Sequence, residues 1–280
     1  EGGYNMDKIL ALLDGSEYSE SVCHHTAWIA QKLGADVDAM HVLGRREGAA
    51  PTDLSGALHL GARSALLAEL SSLDEQRAKL AQAKGHAILE DAKAILAQDG
   101  VPSDLLEAVH AVEADIRAIT IGKRGEGANY ASGHLGSNLE RIIRASKVPV
   151  FVASRAYTPI RKVLVAYDGS ASAKVAIDRM ATSAVFADLD LTVLCIGQDA
   201  GKAKATANAA VAKLHDAGIT ATSRTATGEP GDVLNDLVAA ERFNLLVMGA
   251  YGHSRIRNLI IGSTTTAMIQ TVKIPVLLYR

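Results

Sequence analysis

Apolar runs and helically spaced apolar residues alternate along the first half of the chain. Residues 9–13 form a continuous apolar run, which is typical of a strand buried on both faces of a sheet. Residues 19–33 carry apolar side chains at helical spacing up to Gly34, and 37–43 form a second apolar run. The same patterns predict helices at 64–98, 103–112 (capped by Ser103) and 138–145, and strands at 116–121 and 148–153, with a loop at 44–61.

The second half has the same alternation with shorter connections. It predicts strands at 162–167, 190–196, 219–226, 244–248 and 274–279, and helices at 172–186, 202–217, 231–240 and 263–272. Alternating strands and helices with apolar strands are typical of parallel sheets covered by helices on both faces. We therefore predict an α/β fold built from doubly wound parallel sheets.

The chain repeats itself at fixed offsets. The segment 8–16, KILALLDGS, returns at 162–170 as KVLVAYDGS. Asp14 and Val42 are 28 positions apart, as are Asp168 and Ile196. Each Gly-Ser pair, at 136–137 and 262–263, precedes a proline by 13 positions. Such offsets indicate a duplicated domain, and we predict domains at 1–156 and 157–280, with the boundary in the polar segment 154–159.

The two halves differ in length at two places. The first half carries a long, largely helical insertion at 44–99. Residues 100 and 122 are 22 positions apart, whereas the matching residues 218 and 249 are 31 apart, and the missing nine correspond to the strand at 219–226. We therefore expect the first domain to lack its third strand or to keep a remnant, a loss that an edge strand can tolerate.

Composition excludes several classes of protein. The 280 residues are 48% hydrophobic, and the net charge of −2 comes from interspersed acids and bases, which gives no reason to expect a nucleic-acid or membrane-surface partner. No apolar run reaches the ~18 residues of a membrane span. The two cysteines are far apart, as in buried thiols of a reducing compartment. We expect a cytoplasmic protein, and the scattered histidines predict no metal site built from protein ligands.

A glycine-rich stretch near the end carries the candidate chemistry. The apolar run 245–248 stops at Gly249, Gly252 follows, and nine residues later Gly262 and Ser263 precede a helix. Glycines at a strand end and at the next helix start leave backbone N–H groups free to bind a phosphate. The first half has the same series with one more residue between Gly125 and Gly136.

Several side chains near these glycines have two readings. Asp14 and Asp168 are either turn aspartates or carboxylates that accept hydrogen bonds from a ligand. Ser137 and Ser263 are helix caps, phosphate donors, or both. His253 either contacts a phosphate or is solvated, and the same two alternatives apply to the pair Lys123-Arg124. No Walker A sequence, dinucleotide fingerprint or nucleophile elbow is present, so the residues indicate no reaction.

These motifs resemble the universal stress protein family over nearly the whole chain, twice. The resemblance rests on Asp-Gly-Ser after the first strand, G-x2-G-x9-G-[ST] after the fourth, and a closing strand with Val/Ile-Pro-Val. It implies two tandem five-stranded sheets of order 3-2-1-4-5, which puts the reduced third strand of the first domain at an edge. Family members with the glycine motif bind ATP, and this chain resembles them.

The resemblance also implies which residues bind the nucleotide, which is ATP with or without Mg²⁺, or AMP or ADP. Asp168 would contact the adenine or ribose side, beside a wall of backbone and apolar groups, and the glycines, His253 and the hydroxyls would approach ribose and phosphates. In the second half the set is Ala166, Asp168, Ile196, Met248, Gly249, Gly252, His253, Gly262, Ser263 and Thr264. In the first half it is Leu12, Asp14, Val42, Gly122, Gly125, Gly136, Ser137 and Asn138.

Because the second half keeps the family spacing of nine, we expect it to be the better nucleotide site. The resemblance further implies that the strands at 148–153 and 276–279 pair within one chain, as a pseudo-dimer that can dimerise again. The leading hypothesis is a stress-response sensor or regulator with at most slow ATP hydrolysis and an unknown protein partner. The alternatives are an adenylating or ATP-hydrolysing enzyme of a related fold and an interaction module that binds no nucleotide.

Overall fold

Ten strands and seven α-helices alternate along the chain in the computed structural model, which describes residues 8–41, 60–101, 103–106, 116–123, 137–250 and 263–280. In the first half the elements are β1 (Lys8–Leu13), α1 (Ser19–Leu33), β2 (Asp36–His41), α2 (Leu60–Gln98), β3 (Ser103–Leu106), β4 (Ile116–Gly122), α3 (Ser137–Ala145) and β5 (Val150–Ala153). In the second half they are β6 (Lys162–Ala166), α4 (Ala171–Ala181), a 3-10 helix (Ala184–Phe186), β7 (Asp190–Ile196), α5 (Ala200–Asp216), β8 (Ala221–Ala226), α6 (Pro230–Glu241), β9 (Leu245–Gly249), α7 (Ser263–Thr271) and β10 (Val276–Tyr279).

The strands form one ten-stranded sheet of order β3-β2-β1-β4-β5-β10-β9-β6-β7-β8. Within each half the order is 3-2-1-4-5 and the strands are parallel, which confirms the α/β fold class and the predicted order. The two halves join where β5 and β10 pair antiparallel, with Phe151 opposite Leu277. The predicted pairing of the last strands therefore occurs within this chain.

The third strand of the first half is short. β3 has four residues, against six in the corresponding β8, and it lies at the edge of the sheet beside β2. This confirms the expected reduction of that strand. The prediction of a helix from Ser103 is wrong for Ser103–Leu106, because this segment pairs in parallel with Val37–Met40 of β2. Hydrogen bonding to an open sheet edge outweighs the helix-capping propensity of Ser103; residues 107–112 lie outside the described part.

Helices cover both faces of the sheet. On one face, α1, α2, α4 and α5 contribute buried residues such as Val22, Leu96, Ile177 and Leu214 to a core that continues across both halves. On the other face, α3, α6 and α7 contribute Leu139, Leu234 and Met268, among others. Because every interior strand is covered on both sides, the strands read as continuous apolar runs in the sequence. None of the helices within the described ranges is long and apolar enough to cross a membrane.

Two cations connect the halves at matching helix ends. Lys123, just after β4 and 8% exposed, donates from Nζ to the carbonyl of Val272 and, at 2.8 Å, to that of Ile274, at the C-terminal end of α7. In the opposite direction, Arg280 Nη1 donates at 2.6 Å to the carbonyl of Arg144, at the C-terminal end of α3. The last carbonyls of a helix have no intrahelical donor, so a cation there satisfies them and the helix dipole. Lys123 is therefore neither solvated nor free for a phosphate.

Candidate functional site

An Asp-Gly-Ser turn follows the first strand of each half and has the same geometry twice. Asp168 Oδ1 accepts the N–H of Ser170 at 2.9 Å, and Asp14 Oδ1 accepts the N–H of Ser16 at 3.0 Å. The glycine between them has φ +75° in both turns, a left-handed conformation that favours glycine. Both aspartates are therefore turn residues, and their role as acceptors of hydrogen bonds from a ligand stays a prediction, which the two oxygens of a carboxylate allow.

The helix after the turn begins differently in the two halves. Ser170 caps α4 directly, since its Oγ accepts the N–H of Ala173 at 3.3 Å. In the first half, Ser16 Oγ accepts from the N–H of Tyr18 at 3.3 Å, and α1 starts later, at Ser19. Because of this extra turn, the surroundings of Asp14 differ from those of Asp168. Asp168 is exposed and Asp14 is half-buried.

The predicted wall residues of the second site lie side by side. Ala166 of β6 pairs with Met248 of β9 on one side and with Leu194 of β7 on the other. Ile196 ends β7, and both Ala166 and Ile196 are half-buried against the core below α6 and α7. Their strands end at the same edge of the sheet, next to the turn that contains Asp168. The structure thus brings together Ala166, Asp168, Ile196, Met248 and Gly249.

The corresponding residues of the first site occupy the same positions in their own half. Leu12 of β1 pairs with Met40 of β2 and with Ile121 of β4, and Gly122 ends β4 beside Ala153. Asp14 follows β1 at this edge. In both halves the strand order reverses between the first and fourth strands, which is where ligands bind in open α/β sheets.

Gly249 has a packing role that the sequence does not reveal. A Cβ on this residue would lie 2.5 Å from Ser172 Oγ and 2.9 Å from the backbone nitrogen of Ala173. These atoms belong to the first turn of α4, so the missing side chain lets that helix approach the end of β9. The glycine is required for this contact whether or not a ligand is bound.

A buried threonine holds the start of α7 against the end of β9. Thr265 is 3% exposed, and its hydroxyl donates to the carbonyl of Ala250 at 3.2 Å. Ala250 in turn donates its N–H to the carbonyl of Tyr279 at 2.6 Å. Sequence reasoning missed Thr265; the three consecutive threonines at 264–266 in the first turn of the helix were the available signal. Thr265 fixes the helix whose N-terminus is predicted to face the phosphates.

The remaining predicted residues divide into two groups. Ser263 and Thr264 open α7, and Ser137 and Asn138 open α3, so both helices begin immediately behind the glycine of the motif, as predicted. The other predicted residues lie outside the described ranges; they are Val42, Gly125, Gly136, Gly252, His253 and Gly262.

The exposed carboxylate of Asp168 influences its buried neighbours. Burial raises the pKa of Tyr167 and of the Cys195 thiol, and the negative charge of Asp168 raises both further. Both cysteines are free and buried, and burial, followed by the charges of Asp99 and Glu20, raises the pKa of Cys23 to about 12. Neither thiol is therefore a ready nucleophile near neutral pH. Across the parts of the chain that the structure covers, no three His, Cys, Asp or Glu side chains are grouped to hold a metal ion.

Comparison with known proteins supports the fold and defines the family. The sequence model of the universal stress protein family matches residues 5–154 and again 196–280. Universal stress protein Slr1230 of Synechocystis is 37% identical over 287 residues, which cover 98% of this chain and 100% of that protein. The chain therefore belongs to the universal stress protein family, as a tandem member.

Solved structures agree at the level of the fold. A universal stress protein from Archaeoglobus fulgidus DSM 4304 superimposes with a TM-score of 0.66 at 18% identity, covering 98% of this chain and 96% of its own. A functionally unknown protein from Pseudomonas aeruginosa PAO1 superimposes with a TM-score of 0.61 at 14% identity, covering 97% and 92% of the two chains. Both matches extend over the two halves, so the tandem architecture is shared.

Proposed function

We propose that this protein binds adenine nucleotides at the carboxyl ends of its parallel strands and acts in the cytoplasm as a stress-response sensor or regulator. The bound nucleotide is ATP, with or without Mg²⁺, or its hydrolysis products ADP and AMP. We further propose that the protein is not an enzyme in the usual sense and hydrolyses ATP slowly at most. A homodimer and a regulatory protein partner remain predictions from the family resemblance.

One observation carries the proposal: in each half the Asp-Gly-Ser turn follows the first strand, which lies beside the fourth strand in the sheet, and a helix begins behind the glycine motif that follows the fourth strand. Beside β6 and β9, Asp168, the half-buried Ala166 and the start of α7 at Ser263 surround the point where the strand order reverses. An apolar wall suits a base, a carboxylate accepts hydrogen bonds from amino or hydroxyl groups, and a helix N-terminus binds phosphate.

The chemistry of this edge favours binding over catalysis. Within the described residues, the Ser170 hydroxyl accepts the N–H of Ala173 and contacts the Ser172 hydroxyl at 3.3 Å, and no histidine or carboxylate is hydrogen-bonded to it. A nucleophile needs such a base within hydrogen-bond reach. Asp168 Oδ1 is already engaged by the Ser170 N–H, which leaves Oδ2 for a ligand.

Identification of the bound molecule tests the proposal. We expect mass spectrometry of the purified, denatured protein to detect ATP, ADP or AMP, and calorimetry of the emptied protein to give saturable binding of Mg-ATP. Absence of nucleotide from the preparation together with no calorimetric binding would refute the proposal and favour an interaction module. Rapid turnover of ATP with a transferred adenylyl group would favour the enzymatic alternative.

A pair of matched variants tests which half binds better. The second half keeps nine residues between the glycines of the motif and the first half has ten. We expect Gly262→Val to abolish most nucleotide binding and Gly136→Val to remove less, because an added branched side chain blocks close approach of a phosphate to the backbone. Titration of both variants with Mg-ATP measures the ranking, and the opposite order would assign the better site to the first half.

A further inference from the structure

A cavity of about 280 Å³ lies between the two halves, apart from the predicted nucleotide residues. It lies above the seam of β5 and β10, between α1 of the first half and the end of α4 with the following 3-10 helix of the second half. None of its lining residues belongs to either predicted nucleotide set. Ligand pockets usually begin at about 300 Å³, so this cavity suits a molecule smaller than a nucleotide.

The walls of the cavity are apolar and aromatic. Phe151 and Phe186 are fully buried, Leu277 is 7% exposed, and the half-buried Trp28 and Leu33 of α1 lie against them. Flat aromatic walls favour a ligand with a compact aromatic or branched hydrocarbon body. These residues come from both halves, so an occupant would contact both.

The polar groups of the cavity are cationic or neutral. Arg117, Arg179 and Tyr279 line it together with Thr182 and Ser183. Arg179 and Tyr279 both belong to this lining, and the positive charge of Arg179 opposes the effect of burial, which raises the pKa of the Tyr279 hydroxyl. Within the described ranges, no hydrogen bond or ion pair engages the Arg179 guanidinium.

The acids next to Arg179 are already paired. Asp178 forms an ion pair with Lys213, and Asp188 forms one with Lys32 at 2.9 Å. Neither carboxylate is therefore held by Arg179, although both are near it in sequence. A guanidinium at the edge of an apolar cavity, beside a tyrosine hydroxyl, is the arrangement that recognises a carboxylate.

We propose that this cavity binds a small amphipathic carboxylate, with its hydrocarbon body between Trp28, Phe151 and Phe186 and its carboxylate at Arg179 and the Tyr279 hydroxyl. This site is separate from the proposed nucleotide sites and does not depend on them. A ligand here bridges α1 and α4, so it stabilises the association of the two halves by mass action.

Trp28 provides the test, because it is the single tryptophan of the chain and lines the cavity. The full chain is titrated with 4-phenylbutyrate while tryptophan emission is recorded. We expect a saturable blue shift as the probe replaces water beside the indole. The neutral 4-phenylbutyramide, which has the same body, should bind about tenfold more weakly because it lacks the charge-assisted hydrogen bond.

Variants separate the anion site from the apolar site. Arg179→Gln should weaken 4-phenylbutyrate about tenfold and leave the amide unchanged, whereas the control Arg161→Gln, at an exposed arginine outside the cavity, should change neither. Ala118→Leu places additional carbons in the cavity from β4 and should abolish the shift for both probes, with circular dichroism checking that the variant is folded.

Three results would overturn the proposal. The absence of any saturable shift with either probe would show that the cavity binds neither. Equal binding of the acid and the amide, unchanged in Arg179→Gln, would remove the carboxylate assignment. Loss of the shift in saturating Mg-ATP would show that the probe binds at a nucleotide site, whereas an unchanged titration supports binding in a separate cavity.

Discussion

At the scale of single residues, Gly249 combines a packing requirement with a proposed binding role. Its missing Cβ admits the first turn of α4, where Ser172 and Ala173 approach within 2.5–2.9 Å of the Cβ position. Two of the nearest atoms are backbone atoms, which cannot move away as a flexible side chain can. A side chain at Gly249 therefore displaces either α4 or the end of β9.

We expect Gly249→Ala to lower the free energy of unfolding by about 1–3 kcal/mol, the usual cost of overpacking. Gly197→Ala is the matched control, at the end of β7 in the same sheet, because its Cβ would meet nothing closer than 3.7 Å. Urea unfolding followed by circular dichroism measures both. Equal stability of the two variants would show that α4 moves without cost.

His25 is a buried histidine without access to solvent. The side chain is fully buried in α1, where Nδ1 is 2.7 Å from the Ser21 carbonyl and the ring contacts those of Phe151 and Tyr157 at about 5 Å. Its Nε2 has no hydrogen-bond partner among the described residues. Burial lowers the pKa of His25 from 6.5 to about 4, with a smaller contribution from His24, so the ring is neutral in the folded protein.

This pKa predicts a loss of stability in mild acid. Because the folded-state pKa is below the unfolded one, the unfolded chain binds more protons as the pH falls from 6.5 towards 4. The stabilisation that comes from keeping His25 neutral is fully present above pH 6.5. At about pH 5 the free energy of unfolding should be lower by about 2 kcal/mol. His25→Leu removes the titration, so its stability should fall less over this interval in urea unfolding at several pH values. Parallel curves for the two proteins would contradict the prediction.

At the scale of elements, the ends of α3 and α7 connect the two halves. Each of these helices begins at a predicted phosphate-binding position and ends on a cation from the other half, Lys123 for α7 and Arg280 for α3. The residues are not equivalent in the repeat, since Ala250 occupies the position of Lys123 in the second half. The duplicated architecture thus keeps the interaction while different residues supply it.

Removal of the charge at Lys123 tests this connection. We expect Lys123→Met to lower stability by about 1–3 kcal/mol, because two carbonyls at the end of α7 lose a buried, charged donor. Lys273→Met is the control, since Lys273 is an exposed lysine at the same end of α7 and should change stability by less than about 0.5 kcal/mol. Urea unfolding of the two variants measures the difference. A loss of stability in the control alone would refute the role of Lys123 as a buried cap of α7.

At the scale of the whole molecule, the shared sheet makes the two halves one unit of stability. The core on the α1 and α4 face runs without interruption through Phe151 and Leu277, which face each other across the seam. Unfolding either half exposes this seam, so the halves should unfold together.

We expect calorimetry to show one cooperative transition, with Trp28 emission and far-ultraviolet circular dichroism coinciding. Phe151→Ala should lower the midpoint for both probes, because loss of a fully buried phenylalanine costs about 3–5 kcal/mol. Two separate transitions, or a shift in the tryptophan signal alone, would show that the halves unfold independently.

Strand and helix positions followed closely from local patterns. The apolar run 9–13 predicted β1. The repeat of Asp14 and Asp168 predicted two turns, and in both the aspartate accepts a hydrogen bond from the N–H of the serine two residues later. The buried face of a strand or helix can be predicted from apolar spacing, and a turn from its glycine, because both depend on residues near in sequence. The sheet edge that carries the candidate site was therefore predictable.

The remaining features depend on residues that are distant in sequence. Ser103–Leu106 is a strand because β2 offers it an open edge, Lys123 is buried because α7 ends beside it, and the cavity exists because α1 and α4 flank the seam of β5 and β10. Local propensity contains no information on which surfaces meet. The sequence by itself determined the repeated α/β units and their strand ends. The tertiary structure alone decided which side chains connect the halves around the paired last strands, since those contacts join elements more than a hundred residues apart.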